Sequence, residues 1–105
     1  MRKLLPILAC VALLSAMAFA SSATMTGYIV DEKCGAHGAH AGAEACAKKC
    51  IEAGEKPVFV SDADKTVLKL DNPDVTKGHE GHHVNVSGTV TDGVLHIDKL
   101  AMAAE

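Results

Sequence analysis

Aromatic side chains are nearly missing from this chain of 105 residues, which holds no Trp, one Tyr and two Phe. Aromatics supply much of the buried area in ordinary cores. An interior here must therefore rest on Val, Ile, Leu and Ala. Basic residues are also few, with 10 Lys and Arg against 13 Asp and Glu. A chain with no basic patch is excluded from nucleic-acid binding. No apolar run reaches the roughly 20 residues that a membrane-spanning helix needs. Neither Cys-x-x-Cys nor Cys-x-x-Cys-His occurs, so thioredoxin-like chemistry and covalent haem lack their motifs. No Ser-His-Asp context or paired carboxylates mark a nucleophile. No Gly-rich loop opens a helix after a strand in the phosphate-binding form. These absences point away from an enzyme.

What is present begins with a leader. Met1-Arg2-Lys3 is a basic head, Leu4 to Leu14 is apolar, and Ala18-Phe19-Ala20 has the small-x-small form of a cleavage site. Residues 1–20 are expected to be a secretory signal peptide, placing the protein in the periplasm or outside the cell. Residues 21–105 then form one small domain. Losing Arg2 and Lys3 leaves 8 of the 10 basic side chains against all 13 acidic ones, a net charge of −5. The only aromatics left are Tyr28 and Phe59. A core this thin needs a staple: a disulfide, a metal or a partner.

Along the remaining chain, Ser21 to Thr26 reads as a polar lead-in, and Met25 to Asp31 as a first strand rich in β-formers. Gly35 to Gly42 is a small-residue loop carrying His37 and His40. Ala43 to Ala53 reads as a helix closed by Gly54. Glu44 and Lys48 stand one turn apart and can pair. Ala43, Cys46, Ala47 and Cys50 share the face expected to turn inward. Val58 to Val60 and Thr66 to Leu70 are strands joined by a polar turn. Asn72-Pro73-Asp74 opens a short helical turn, with Asn72 as its cap. His83 to Val90 alternates, Asp92-Gly93 is a hairpin turn, and Val94 to Leu100 returns. Pairing about that turn sets Val90 opposite Leu95, Thr89 opposite His96 and Gly88 opposite Ile97. Val84, Val86, Val90, Leu95 and Ile97 then share the inner face, with His82 in the inward register and His83, Thr89 and His96 outward. Ala101 to Glu105 is expected to fray.

The order strand, helix, strand, strand, helical turn, strand, strand predicts a mainly β fold. It is that of an OB-like five-stranded barrel with the cysteine-bearing helix, at about 43–53, inserted between strands 1 and 2. A five-stranded sheet on one helix is the nearest alternative. Several motifs run through the chain: Gly27-Tyr28-Ile29, Asp31-Glu32-Lys33-Cys34-Gly35, Cys46 and Cys50 on a helix, Val58-Phe59-Val60, and the Gly-x-x-Val-x-Val-x-Gly of residues 81–88. Together they resemble a group of small exported bacterial proteins of unknown function. That resemblance implies an exported compartment and an OB-like fold, and brings no catalytic residues with it.

Two clusters carry possible chemistry. Cys34, His37, His40, Cys46 and Cys50 fall within seventeen residues. At i and i+4 of a helix, Cys46 and Cys50 have Cβ atoms roughly 5–6 Å apart, farther than the about 3.5–4.5 Å of a disulfide. Cys34 could instead bridge to Cys46 or Cys50, tying the first strand to the helix. Closing such a loop is worth roughly 3 kcal/mol. The same thiolates and imidazoles would suit copper or zinc. A thiol-redox role is a third alternative. The second cluster is Gly78-His79-Glu80-Gly81-His82-His83 with His96; its best trio, His79, His83 and His96, would suit Cu(II), Ni(II) or Zn(II) if the loop folds back over the outer face. Asp62 and Asp64 lie in a loop too short for the calcium pattern. The expectation is a stapled module binding an unknown protein or small ligand, with a copper- or zinc-handling protein as the alternative.

Overall fold

The computed structural model describes residues 21–103. The expected signal peptide lies outside the described residues. Five strands form a closed barrel: β1 (Ser21–Asp31), β2 (Pro57–Ser61), β3 (Val67–Leu70), β4 (His83–Thr91) and β5 (Val94–Met102). Their order around the barrel is β1-β2-β3-β5-β4, and β4 closes on β1. All neighbours are antiparallel except β3 and β5. One helix, α1 (Glu44–Glu52), is inserted between β1 and β2, and a 3-10 turn (Pro73–Thr76) links β3 to β4. This is the OB-like small barrel expected.

β1 is longer than its side chains suggest. Ser21 to Tyr28 pair with β4, and Gly27 to Asp31 pair with β2. The polar lead-in is therefore strand, because backbone pairing rather than apolar content holds it. Gly27 sits where β1 passes from one partner to the other. A Cβ there would lie 2.0 Å from the Val60 carbonyl oxygen and 2.7 Å from the Phe59 ring. Only glycine permits that approach.

The barrel interior holds Ile29, Phe59, Leu68, Val84, Val86, Leu95 and Ile97, with Met25, Leu70, Val90 and Leu100 packed around them. The β4–β5 register is the predicted one: Val90 faces Leu95, Thr89 faces His96 and Gly88 faces Ile97. Asp92 and Gly93 both take positive φ, 51° and 79°, as a type I′ turn requires. Beyond Gly88 the register shifts, for Ser87 pairs with Lys99 rather than Asp98. This bulge bends the hairpin enough to close the barrel. The expected fraying tail is instead ordered as far as Ala103, which is buried and donates its N–H to the His83 carbonyl at 3.0 Å.

A second, smaller core lies outside the barrel. Val30, Val58, Val60 and Ala39 pack together, with Tyr28 against them. The end of β1 is thus covered on both faces: Ile29 points into the barrel and Val30 into the insertion. Alternation therefore breaks down over Ile29-Val30-Asp31, where three successive residues are buried.

Asn72 does not cap the 3-10 turn as expected. Its side-chain amide donates to the Ile97 carbonyl at 2.8 Å and its oxygen accepts the Ile97 N–H at 3.0 Å. It pairs with β5 as a strand backbone would. Among the described residues no helix is long and apolar enough to cross a membrane.

Candidate functional site

The insertion begins at Asp31, the last residue of β1, which is 1% exposed. Its Oδ2 accepts the Cys34 N–H at 3.0 Å, which turns the chain back and fixes Cys34 beside the carboxylate. A 3-10 turn (Gly35–Gly38) follows, with Gly35 at φ 51°. Buried Ala43 and Ala47 face the barrel, and their small size lets α1 approach closely. The helix ends in a Schellman arrangement: Glu55 N–H donates to Cys50 O at 3.1 Å and Gly54 N–H to Ile51 O at 3.0 Å. Gly54 supplies the positive φ, 115°, that this ending demands.

These anchors gather the three cysteines. Cys34 and Cys50 are half-buried and Cys46 is exposed. The expected inward face of α1 is therefore narrower than predicted. Ala43 and Ala47 occupy it, and Cys46 lies at its edge. Cys46 and Cys50 stand near enough for their charges to bear on Cys34, and Cys46 bears likewise on Cys50. The Asp31 carboxylate, reinforced by burial, pushes the Cys34 thiol up from its ordinary value. Burial first, then Asp31 and Cys46, push Cys50 up, with Lys33 opposing. Both thiols stay protonated at neutral pH and are poor nucleophiles.

Cys34, Cys46, His37 and His40 line one open cleft of about 220 Å³ together with Asp31. His40 is turned by a contact of its Nδ1 with the Ala41 carbonyl at 2.9 Å. Of the four cysteines, Cys10 falls in the expected signal peptide, outside the described residues; Cys34, Cys46 and Cys50 are free in this structure, so the expected bridge from Cys34 is not formed. No three Cys, His, Asp or Glu among the described residues are grouped closely enough to hold an ion. Four of the five expected partners share the cleft, Cys50 is not in its lining, and they do not converge on a point.

A second hollow of about 300 Å³ lies nearby, lined by Glu32, Lys56, Pro57, Val58, Lys69 and Leu70 among others. Its lining is mostly apolar, with Glu32, Lys56 and Lys69 as its charged residues.

His79, His83 and His96 are not brought together. His83 Nε2 lies 2.6 Å from Asp62 Oδ2, and its ring stacks on Tyr28 with centroids 4.5 Å apart. His96 Nδ1 lies 2.7 Å from Asp71 Oδ1. The reason is strand geometry. His96 stands opposite Thr89, six residues along β4 from His83, or about 20 Å at ~3.3 Å per residue. His79 packs instead against His82. His82 precedes β4 and meets α1, where its Nε2 is 2.9 Å from Glu44 Oε2. Glu44 thus pairs with His82 rather than with Lys48. Sequence reasoning missed Asp31 and Glu44 as site residues and left His82 out of the imidazole trio. The Asp-x-x-Cys spacing was the one local signal, since a carboxylate three residues before a cysteine can accept its N–H.

The fold and cleft define a small OB-like barrel carrying a thiol- and imidazole-bearing insertion. Compared with known protein families, functionally described proteins and solved structures, the chain matches none.

Proposed function

We propose that the protein is an exported, non-enzymatic binding module whose β1–β2 insertion is fastened by a disulfide from Cys34 to Cys46 or Cys50. One observation carries this reading: Cys34 and the helix residue Cys46 line one cleft together with Asp31, with Cys50 one turn further along α1. The insertion otherwise rests on the small side chains Ala39, Ala43 and Ala47, too little apolar area to hold it firmly. Oxidation in an extracytoplasmic compartment supplies the missing constraint. The β1–β2 connection is one of the two loops by which OB-type barrels take ligands. The hollow beside it, lined by Pro57, Val58 and Leu70 with Glu32, Lys56 and Lys69 at charged positions, suits a small ligand with an apolar body and polar groups. The negative balance of the chain argues against nucleic acid. Export and kinship with the small exported bacterial proteins are part of the same proposal.

A copper- or zinc-binding protein is the second reading, favoured by the shared cleft of Cys34, Cys46, His37, His40 and Asp31. Thiol exchange is disfavoured by the raised Cys34 and Cys50 thiols.

Intact mass after alkylation, with and without reduction, separates these readings when followed by native mass spectrometry with Zn(II) and Cu(I). The disulfide reading expects a deficit of two hydrogens, one labelled thiol and no metal held by the cysteines. Three thiols protected together by one ion would overturn it in favour of the metal reading. Three thiols labelled freely after air oxidation, with no ion bound, would overturn both.

A further inference from the structure

The connection between β3 and β4 carries two imidazoles that the thiol cleft does not use. His79-Glu80-Gly81-His82 is a tight turn in which the His82 N–H donates to the His79 carbonyl at 2.9 Å. Gly81 takes φ 78°, the left-handed value a type II turn demands at its third position. The turn is clamped to β1. Gly81 N–H donates to Ile29 O at 2.6 Å, and Ile29 N–H donates to His82 O at 3.2 Å. Helix α1 presses on it so closely that a Cβ on Gly81 would lie 2.3 Å from the Glu44 Cα.

This frame sets the first and last side chains of the turn against each other. The rings of His79 and His82 meet edge to face, with centroids 5.5 Å apart and planes at 83°. Both Nδ1 atoms are buried, and neither has a hydrogen-bond partner among the described residues. A buried polar nitrogen left unpaired is uncommon and calls for an occupant such as a water or an ion. The second observation is the 2.9 Å contact between His82 Nε2 and Glu44 Oε2. Donation to that carboxylate keeps the proton on Nε2 and leaves Nδ1 as a lone pair. Metal-ligating histidines are oriented in this way, through a carboxylate on the other ring nitrogen.

We infer that His79 and His82 form a two-imidazole site for one first-row transition-metal ion, through their Nδ1 atoms, with Glu44 as the positioning residue. Imidazole nitrogens suit Cu(II), Ni(II) and Zn(II), and the order of stabilities places Cu(II) first. No third Cys, His, Asp or Glu among the described residues joins them, so water completes the coordination. The rings are half-buried but their Nδ1 atoms are covered, so the ion and its waters enter as the two rings part. The site is independent of the cysteines and of the reading proposed above.

The test is a Cu(II) titration of the protein with its thiols blocked by alkylation. Stoichiometry is read by native mass spectrometry, and the histidine ring resonances by NMR. One ion is expected to bind, broadening the rings of His79 and His82 first. His79→Ala and His82→Ala should each weaken binding about tenfold or more, and Glu44→Ala about tenfold. His96→Ala should leave it unchanged. Circular dichroism checks that each variant folds. If a histidine variant does not fold, the broadening pattern of the unsubstituted protein decides. Absence of binding, affinity that survives both histidine substitutions, or broadening that starts at His37, His40, His83 or His96 would overturn the inference. None of these results bears on whether Cys34 forms a bridge.

Discussion

His83 and Asp62 meet at 2.6 Å between Nε2 and Oδ2, joining the first residue of β4 to the turn between β2 and β3. The two elements are not neighbours in the sheet; β1 runs between them. The contact therefore straddles β1, with the imidazole stacked on Tyr28. Both side chains are partly open to water, so solvent screens the pair. A double-mutant cycle with Asp62→Ala and His83→Ala should give a coupling of about 0.5–1 kcal/mol in urea unfolding. His83→Ala alone should cost more than Asp62→Ala, because it also loses the stacking on Tyr28. Equal single costs would show that the stacking contributes nothing.

Asn72 should matter more than its half-exposed position suggests. It both donates to and accepts from the backbone of Ile97, next to the bulge in β5. Asn72→Ala removes two bonds and should destabilise the protein by about 2 kcal/mol. Asn72→Asp keeps an acceptor for the Ile97 N–H but places a carboxylate oxygen against the Ile97 carbonyl, and should recover little of the loss. A denaturant midpoint for Asn72→Asp equal to that of the unsubstituted protein would count against the paired geometry.

Gly27 should tolerate no side chain. The atoms its Cβ would meet are largely backbone, the Val60 carbonyl at 2.0 Å, and cannot rotate away. Gly27→Ala should cost about 3 kcal/mol or more, at or beyond the usual range for overpacking. Phe59→Ala, which empties the middle of the barrel, should cost about 3–5 kcal/mol. Val67→Ala, at an exposed position, should change stability by about 0.5 kcal/mol or less. Thermal or urea unfolding of the three variants checks the ranking.

The thiols predict an alkaline weakness in the reduced protein. Asp31 and burial raise Cys34, and burial followed by Asp31 raises Cys50. The folded state therefore holds these protons more tightly than the unfolded chain. That contribution is fully present below the unfolded thiol value of about 8.5 and is lost as pH rises through the raised folded values. Reduced protein should lose stability above that pH, and Cys34→Ser should lose less. Asp31→Asn should also speed alkylation of Cys34 at pH 8 several-fold, since more of it becomes thiolate. An unchanged rate would show that Asp31 does not set the thiol.

The proposed staple makes a redox-dependent prediction. Under oxidising conditions Cys34→Ser should lower stability by roughly 3 kcal/mol, the value of closing a loop of about a dozen or more residues. Under reducing conditions the loss should nearly vanish. A loss of the same size in both would assign Cys34 to packing rather than to a bridge.

The sequence alone determined the strand order, the β4–β5 register and the inward set from Val84 to Ile97. These rest on local rules: alternation with period two, and an Asp-Gly turn that sets how the flanking strands pair. It also placed Cys46 and Cys50 on an inserted helix. Tertiary structure decided the rest. Two buried faces at Ile29 and Val30 hid the alternation, because the insertion packs where solvent would otherwise be. The length of β1 and the ordered end of β5 came from backbone pairing, which leaves no trace in side-chain type. The histidines were the least legible. Three of them found a partner far along the chain: His83 with Asp62, His96 with Asp71 and His82 with Glu44. Only barrel closure brings those pairs within a hydrogen bond, and no spacing in the sequence encodes it.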